Sequence, residues 1–312
     1  MTMYEGLRVA VVVRAHNEER LVGRVVAAMP DLVDNVVVVD DASTDDTARV
    51  AKAAGDSRTD VISLVENQGV GGATVVGHQQ ALALGADVCV VMDGDAQMDP
   101  AAMPVLLDPI VRGEAQFTKA NRFYAMGSFD GMPRHRVVGN VALSFLTKAA
   151  SGYWNLFDPQ NGYTAIHRHA LERVPLQRLA KRYEFENDLL VHLNILRVPA
   201  RDVPVPARYG DEVSGLLVRM AAPHILRQLT SGFWQRIWWK YVVQSFSAVA
   251  LMLFGGLALV GIGVAFGFWV IADSWGAAAA TPGTVVLCVA PLLSGFHMLL
   301  YAMMLDIQEG NR

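Results

Sequence analysis

The segment that decides the fold is Val88-Cys89-Val90-Val91-Met92, followed directly by Asp93-Gly94-Asp95-Ala96-Gln97-Met98-Asp99. An uninterrupted apolar run with β-branched members predicts a buried strand of a parallel sheet. The three carboxylates after this strand, Asp93, Asp95 and Asp99, are close in the sequence, and like charges at such short separations repel each other. A hard divalent cation, Mg²⁺ or Mn²⁺, would remove the repulsion and leave room for phosphate oxygens. The alternative is a solvated acidic turn after a strand.

Three earlier segments repeat the arrangement of an apolar strand followed by polar residues. They cover residues 7–13, 35–39 and 61–65, and helical patterns over 20–29 and 73–84 lie between strands. This alternation predicts βαβ units and a mostly parallel sheet. Ligands of such sheets bind at the carboxyl ends of the strands. All four polar clusters follow a strand end, so we expect a site there.

The rest of this domain is less regular. The sequence predicts a strand over residues 115–120, a turn over 158–163 with an apolar run at 164–166, and a helix over 137–150. Residues 198–205 contain prolines, which exclude a central strand and predict an edge strand. We expect Arg134 and Arg136 in a loop, and Ser43 or Thr44 as a helix cap.

The glycines after the third strand do not form a dinucleotide-binding motif. Gly69, Gly71 and Gly72 lack the third glycine of G-x-G-x-x-G, because Thr74 stands in its place. They also follow the third strand instead of the first, and the sequence has no P-loop pattern.

Two long uncharged segments account for the high apolar content, 53% of 312 residues. Residues 242–272 and 283–305 contain no Asp, Glu, Lys or Arg. Each exceeds the roughly 20 residues that a membrane-spanning helix needs. The N-terminus lacks a signal-peptide pattern because Arg8 and Arg14 interrupt its apolar run. The two cysteines, Cys89 and Cys288, are not expected to pair.

A basic, aromatic segment precedes the first span. Residues 213–240 contain Arg and Lys but no Asp or Glu, and Trp234, Trp238, Trp239 and Tyr241 cluster at the end. Its apolar stripe consists of Leu217, Met220, Ile225, Leu229, Phe233 and Ile237. We interpret the segment as an interfacial amphipathic helix with an aromatic belt; the alternative is a helix packed on the soluble domain.

The loop between the spans predicts the orientation in the membrane. Residues 273–282 contain no Lys or Arg, so the positive-inside rule places the N-terminal domain and the C-terminal tail in the cytoplasm. Gly263-x-x-x-Gly267 predicts close helix packing, with a homo-oligomer as one possibility.

A metal site beside a membrane suggests transfer from a soluble activated donor to a lipid. For a nucleotide-sugar donor, a metal on Asp93, Asp95 and Gln97 would neutralise the diphosphate. Asp41 could accept from a base N–H, with helix capping as the alternative, and Glu18 could bind a ribose hydroxyl.

The acceptor decides which further residues are needed. A sugar hydroxyl would need a general base, whereas a lipid phosphate is largely dianionic at neutral pH and needs cations. Arg122 and Arg136 are candidates to hold it, although each alone could be a surface arginine.

These motifs resemble family 2 glycosyltransferases of GT-A fold, within the dolichyl-phosphate mannose synthase and polyprenyl-phosphate glycosyltransferase branch. The resemblance covers roughly residues 7–214 and rests on three segments, residues 13–19, 39–45 and 93–97. It implies a Rossmann-like α/β catalytic domain, and metal ligands Asp93, Asp95 and Gln97. Arg122 and Arg136 would hold the acceptor phosphate and, with Asp95, carry catalysis.

The resemblance also implies the donor site, the reaction and the partners. The nucleotide sugar, with UDP favoured, would contact Ala15, Asn17, Glu18, Asp41, Asp93 and Gln160. The expected reaction is inverting transfer of a hexose or N-acetylhexosamine to polyprenyl phosphate, in a protein that binds the bilayer but no nucleic acid. The expected location is the cytoplasmic (inner) membrane, with several spans.

The expected domains are a catalytic domain (1–212), juxtamembrane helices (213–240), a transmembrane hairpin (241–306) and a cytosolic tail (307–312). Two other functions stay open. One is a processive or other lipid or polysaccharide glycosyltransferase of family 2, in which Asp188 could be the general base; here the stretch 184–188 is interpreted as a sugar-contacting or structural turn. The other is a catalytically silent nucleotide-binding scaffold in the membrane.

Overall fold

The computed structural model describes residues 3–124, 134–158, 161–206, 218–274 and 281–310. The chain forms two compact units, Met1–Phe233 and Trp234–Arg312. The strands are β1 (Val9–Ala15), β2 (Asn35–Asp40), β3 (Thr59–Ser63), β4 (Val88–Asp93), β5 (Phe117–Asn121), β6 (Thr164–His167) and β7 (Ala200–Pro204). The helices are α1 (Val22–Ala27), α2 (Thr47–Ala54), α3 (Gly69–Ala83), α4 (Met103–Val111), α5 (Arg134–Ser151), α6 (Arg168–Leu171), α7 (Phe185–Ile195), α8 (Val218–Arg236), α9 (Ala248–Ser274) and α10 (Pro282–Gly310).

The first unit is built on one seven-stranded sheet with the order β3-β2-β1-β4-β6-β5-β7. Strands β1 to β4 pair in parallel, as the strand–helix alternation predicts. Strand β6 runs antiparallel to β4 and β5, which the sequence did not indicate. Strand β7 pairs with β5 at the edge of the sheet, where its prolines are tolerated. The mostly parallel α/β fold is therefore confirmed.

The sheet is covered on both faces, because alternate residues of each strand point to opposite sides. In β1, Val9, Val11 and Val13 pack into one core with residues of α1 and α4. Ala10 and Val12 pack into the second core, with residues of α3 and α7. Burial on both faces explains why the central strands are continuous apolar runs.

Two local predictions were wrong. Arg134 and Arg136 do not lie in a loop, because α5 begins at Arg134, three residues before the predicted helix start at residue 137. Neither Ser43 nor Thr44 caps α2: the N-cap residue is Asp46, without a side-chain hydrogen bond to the helix.

The described part of the apolar stripe of α8 packs within the first unit. Ile225 and Leu229 are buried against Ala150 of α5, with Leu143 and Phe233 beside them. For these residues the alternative interpretation, a helix packed on the soluble domain, is correct. A π-helical segment, Ile237–Val243, continues the chain beyond α8.

The second unit contains two helices that are long and apolar enough to cross a membrane, over Ala248–Asp273 and Pro282–Gly310. They pack closely where side chains are absent: a Cβ on Gly256 would lie 2.9 Å from the Gly295 carbonyl oxygen. A Cβ on Gly263 would lie 2.9 Å from the Cys288 carbonyl oxygen. Gly263 thus serves packing within one chain, and a homo-oligomer stays a prediction.

The aromatic cluster before α9 divides into exposed and buried members. Trp234, Trp238 and Trp239 are each between 43% and 54% exposed, as an aromatic belt requires. Tyr241 is fully buried, and its hydroxyl donates to Asp306 over 2.6 Å. Tyr241 therefore does not belong to the belt.

Candidate active site

A cleft of about 230 Å³ lies where β1, β2 and β4 end. It is lined by Arg14, Ala15, His16, Glu18, Asp41, Val70, Ala73, Asp93, Gly94 and Asp95. Five predicted site residues are in this set: Ala15, Glu18, Asp41, Asp93 and Asp95. They come from three strands that are far apart in the sequence, and the parallel sheet brings their carboxyl ends to one edge.

Each of these three strands is followed by a non-glycine residue in the left-handed region. Asn17 has φ 56°, Ala42 has φ 55° and Ala96 has φ 60°. Such conformations are costly for residues with a Cβ and persist where the surroundings enforce them, often at functional sites. The backbone therefore reverses sharply after each strand, directly beside the cleft residues Glu18, Asp41 and Asp95.

Hydrogen bonds join the loops after β1 and β2. The Asn17 side-chain oxygen accepts from the Thr44 N–H at 2.8 Å, and the Asn17 N–H donates to the Ser43 hydroxyl oxygen at 2.9 Å. The Glu18 N–H donates to the Thr47 hydroxyl oxygen at 2.8 Å. Asn17 does not line the cleft; its contacts fix the loop that presents Glu18.

Asp41 combines a structural contact with a place in the cleft. Its two carboxylate oxygens accept from the N–H groups of Gln68 and Gly69, at 2.7 and 2.8 Å. These groups begin α3, so Asp41 caps this helix from another strand, as the capping alternative anticipated. The glycines beyond it serve packing: the N–H groups of Gly71 and Gly72 both donate to the Lys181 carbonyl oxygen.

The carboxylates of the acidic turn after β4 have two different roles. Asp93 and Asp95 line the cleft. Asp99 instead has a structural contact: its side chain accepts from the Ala101 N–H and caps a short 3₁₀ helix. The Gln97 N–H donates to Asp95 Oδ1 at 3.0 Å, which tightens the turn. Gln97 itself does not line the cleft. Carboxylate and carboxamide oxygens are the ligand type that Mg²⁺ and Mn²⁺ prefer, so the residue types of this turn suit such an ion.

The sequence analysis missed the residue that contacts Asp93 most closely. The Arg14 guanidinium bonds Asp93 Oδ1 through Nε at 2.8 Å and through Nη2 at 2.6 Å. On the other side it bonds Glu186 Oε1 of α7 at 3.1 Å. The available signal was an arginine at the end of an apolar strand, which the sequence interpretation used against a signal peptide and within the segment 13–19, without assigning it a role. A buried strand rarely carries a charge without a partner.

Ionisable side chains are also buried beneath the cleft. Burial lowers the pKa of the Lys119 ammonium, which donates to the Asn161 carbonyl oxygen. Burial, together with the nearby Arg14 charge, lowers the pKa of His78 to about 4, so this imidazole is neutral at neutral pH. Burial opposes a charged Arg14, but Asp93 and Glu186 raise its pKa overall, so it stays a cation.

The two arginines predicted for the acceptor phosphate are described to different extents. Arg122 follows β5 and forms an ion pair with the buried Asp158, with 2.7 Å between Nε and Oδ2. Arg136 lies in the first turn of α5, and the structure describes no more than its backbone. Gln160 lies outside the described residues.

The stretch 184–188 forms the start of α7. The Asp188 carboxylate accepts from the Ala180 N–H at 2.8 Å and lies 3.4 Å from His192. Phe185 is buried in the core. Structural contacts therefore account for Asp188 and Phe185, whereas Glu186 reaches Arg14 beside the cleft.

A family model described as Glycosyl transferase family 2 matches residues 10–174. The chain is 31% identical over 215 residues to UDP-N-acetylglucosamine–dolichyl-phosphate N-acetylglucosaminyltransferase of Methanococcus voltae, covering 64% of this chain and 85% of that protein. It is 30% identical over 242 residues to undecaprenyl-phosphate mannosyltransferase of Micrococcus luteus, covering 73% of this chain and 97% of the relative.

The fold is similar to that of a crystallised enzyme with a metal and a nucleotide bound. Glucosyl-3-phosphoglycerate synthase from Mycobacterium tuberculosis, in complex with Mn²⁺, UDP and glucosyl-3-phosphoglycerate, matches with a TM-score of 0.55 and 26% identity. The match covers 74% of this chain and 80% of that one.

Proposed function

The chain belongs to glycosyl transferase family 2, and we propose that it transfers a hexose or N-acetylhexosamine from a nucleotide sugar to polyprenyl phosphate. The observation that carries this proposal is the cleft, which brings Asp41, Asp93 and Asp95 together in a chain with two apolar helices. The names of the two relatives support a polyprenyl or dolichyl phosphate acceptor.

The favoured donor is a UDP-sugar. The Methanococcus relative is named for UDP-N-acetylglucosamine, and the Mycobacterium structure holds UDP with Mn²⁺. Asp41 and Glu18 line the cleft on the side of β1 and β2, where they are suited to a base N–H and a ribose hydroxyl. Ala15 lines the same cleft, Asn17 contributes by fixing the loop that presents Glu18, and Gln160 completes the proposed donor site.

Asp93, Asp95 and Gln97 are the proposed ligands of Mg²⁺ or Mn²⁺. When bound, such an ion neutralises the diphosphate and makes it a better leaving group. The chain's own contribution is to hold the carboxylates of Asp93 and Asp95 on one wall of the cleft, in a turn that Ala96 reverses at φ 60°. This preorganisation avoids rearranging the charges when the donor arrives.

Arg122 and Arg136 are the proposed ligands of the acceptor phosphate. A phosphate monoester is largely dianionic at neutral pH, so no general base is needed. One of its oxygens forms a bond to the anomeric carbon, while the bond from that carbon to the diphosphate oxygen breaks and the nucleoside diphosphate leaves. A single displacement of this kind inverts the configuration at that carbon.

The second unit would anchor the enzyme where its acceptor lies. Two apolar helices suggest membrane association. We place the catalytic domain and both termini in the cytoplasm at the cytoplasmic membrane, because the loop between the helices lacks basic residues. In this proposal residues 1–212 hold the chemistry, 213–240 lie next to the membrane, and 241–306 span it.

The test is a donor panel with lipid analysis. Full-length protein in detergent is incubated with individual UDP- and GDP-sugars, Mn²⁺ or Mg²⁺, and polyprenyl phosphate, and the organic extract is analysed by mass spectrometry. We expect one glycosylated polyprenyl phosphate, formed from a UDP-sugar and absent with Asp95→Asn. Nucleotide-sugar binding without a glycolipid from any donor would favour the silent scaffold, and a growing glycan would favour a processive enzyme.

A further inference from the structure

Arg14 occupies an unusual place for a charged residue. It lies in the central strand β1 next to β4, where the register pairs it with Asp93. Its side chain is 7% exposed. A guanidinium in such a position requires compensation for the water it has lost, and two carboxylates supply it.

The two carboxylates lie on different elements. Both bonds to Asp93 go to the same oxygen, Oδ1. The remaining contacts run away from Asp93: Nη1 lies 3.1 Å from Glu186 Oε1 and 3.3 Å from the Thr74 hydroxyl oxygen. The guanidinium therefore bridges the acidic turn after β4 to the first turn of α7.

Gly162 makes room for this bridge. A Cβ at this position would lie 2.2 Å from Arg14 Nη2, so any side chain there would displace the guanidinium. The same Cβ would lie 3.4 Å from Asp93 Oδ2. The chain thus leaves space for the guanidinium on the side where the second Asp93 oxygen lies.

Arg14 has two conceivable uses in a transferase. It could bind the donor diphosphate directly, since it borders the cleft. Alternatively, it could hold Asp93. The geometry favours the second use, because the guanidinium bonds oxygens of Asp93, Glu186 and Thr74, and little of the side chain reaches solvent.

We propose that Arg14 is a positioning residue for Asp93, that it fixes one oxygen of this carboxylate so that the other can bind a divalent cation, and that Glu186 holds Arg14 in place. This inference rests on the proposed function, because it assigns Asp93 to the metal. Glu186 also offsets the positive charge of Arg14, which would otherwise repel a cation nearby. Glu186 itself does not line the cleft.

The experiment measures how much Mn²⁺ strengthens UDP binding to the full-length protein in detergent. Calorimetric titrations of UDP, with Mn²⁺ and with EDTA, are made for wild type, Arg14→Met, Glu186→Leu and the double variant. The gain from Mn²⁺ is the ratio of the UDP affinity with Mn²⁺ to that with EDTA. We expect each single change to reduce this gain about tenfold or more, as for other residues that orient metal ligands. UDP affinity in EDTA should stay near the wild-type value.

The double variant separates positioning from general damage. Because Glu186 acts through Arg14, adding Glu186→Leu to Arg14→Met should cause little further loss. Arg14→Lys keeps the buried charge and covers the case in which Arg14→Met does not fold. It should lose part of the gain, because an ammonium cannot bond both carboxylates as a guanidinium fork does.

A matched control is the exposed pair of Arg168 and Glu172, 2.6 Å apart and outside the cleft lining. Glu172→Leu should leave the gain from Mn²⁺ unchanged. Equal weakening of UDP binding by Arg14→Met with Mn²⁺ and with EDTA would overturn the inference and make Arg14 a diphosphate ligand. An unchanged gain in Glu186→Leu would also overturn it. No gain from Mn²⁺ in wild type would instead overturn the metal site of the proposed function, and this inference with it.

Discussion

Arg122 and Asp158 form a two-pronged ion pair across a long stretch of sequence. Nε and Nη2 of Arg122 bond the two oxygens of Asp158 at 2.7 and 3.1 Å. The Arg122 N–H also bonds Oδ2, at 3.2 Å. Asp158 is 1% exposed, whereas the arginine side chain is 35% exposed. The buried carboxylate therefore fixes the direction of a cation that reaches the surface.

Asp158→Asn tests whether the orientation of Arg122 contributes to binding of the acceptor phosphate. The variant keeps the shape but loses the charged partner, so Arg122 is held less firmly. We expect the KM for polyprenyl phosphate to rise about tenfold, corresponding to about 1.4 kcal/mol. UDP affinity should not change. Asp46→Asn breaks a similarly two-pronged but exposed pair with Arg49 and should affect neither quantity.

Arg136→Ala tests the second proposed phosphate ligand. A lost charge-assisted contact costs about 1.5–3 kcal/mol, so the acceptor kcat/KM should fall roughly ten- to a hundredfold. Arg136→Lys should restore only part of it. Arg134→Ala, in the same first turn of α5, is the matched control and should stay near wild type. If Arg136→Ala weakens UDP binding and spares the acceptor, the residue belongs to the donor site.

Asp95→Asn should abolish transfer without damaging the fold. Asparagine can still accept from the Gln97 N–H, and removing a negative charge beside Asp93 relieves repulsion. We expect a melting temperature no lower than that of wild type in metal-free buffer. Asp99→Asn, at the capping acid of the same turn, should keep nearly full turnover. Wild-type transfer by Asp95→Asn, or by EDTA-treated protein, would disprove the metal assignment.

The sequence predicted the features that depend on local pattern. Uninterrupted apolar runs rich in valine identified the central strands, and the polar residues after them identified the edge of the sheet with the cleft. Prolines placed β7 at the edge. These signals work because a strand buried on both faces must be apolar along its whole length, and because parallel strands all end at one edge.

The features that the sequence analysis missed depend on contacts between distant residues. Nothing near Arg14 in the sequence indicates Glu186, and the pair exists only because α7 returns to the sheet. The antiparallel direction of β6 and the packing of Ile225 on α5 are likewise decided by tertiary packing. An amphipathic helix has the same pattern whether its apolar face meets a membrane or a protein.

Asp202 should make the stability of the catalytic unit depend on pH. Burial raises the pKa of this carboxyl to about 6, and Oδ1 has no hydrogen-bond partner among the described residues. Because the folded-state pKa lies above the unfolded value, the stability from this group is complete below about pH 4 and is lost as the pH rises through about 6. The loss amounts to about 3 kcal/mol.

Asp202→Asn removes this titration. In wild type, Asp202 Oδ2 accepts a hydrogen bond from the Phe157 N–H at 2.6 Å, and the amide oxygen of the variant can still accept it. Relative to wild type, the variant should gain stability between about pH 4.5 and pH 7.5, as measured by thermal unfolding at both values. Parallel pH profiles for the two proteins would show that Asp202 titrates as it does in the unfolded chain.

The second unit contains a buried ion pair that the sequence analysis did not predict. Arg236 bonds the two oxygens of Asp306 at 2.6 and 3.1 Å, through Nη1 and Nη2. Arg236 is 0% exposed and Asp306 is 6% exposed. Tyr241 donates to the same carboxylate. These contacts connect the end of α8 and the following π-helical segment to the end of α10.

Removing one partner of this pair should lower the stability of the protein more than removing both. Arg236→Met or Asp306→Leu leaves the other buried charge without its ion-pair partner, which costs about 3–5 kcal/mol of stability, whereas an apolar replacement of both is often close to neutral. Tyr241→Phe should cost less than either single change, because the ion pair survives. Denaturant titration of the full-length protein in detergent, followed by tryptophan fluorescence, measures each loss. If the double variant is as unstable as the sum of the single variants, the two side chains do not stabilise each other, and another contact must fix the position of α10.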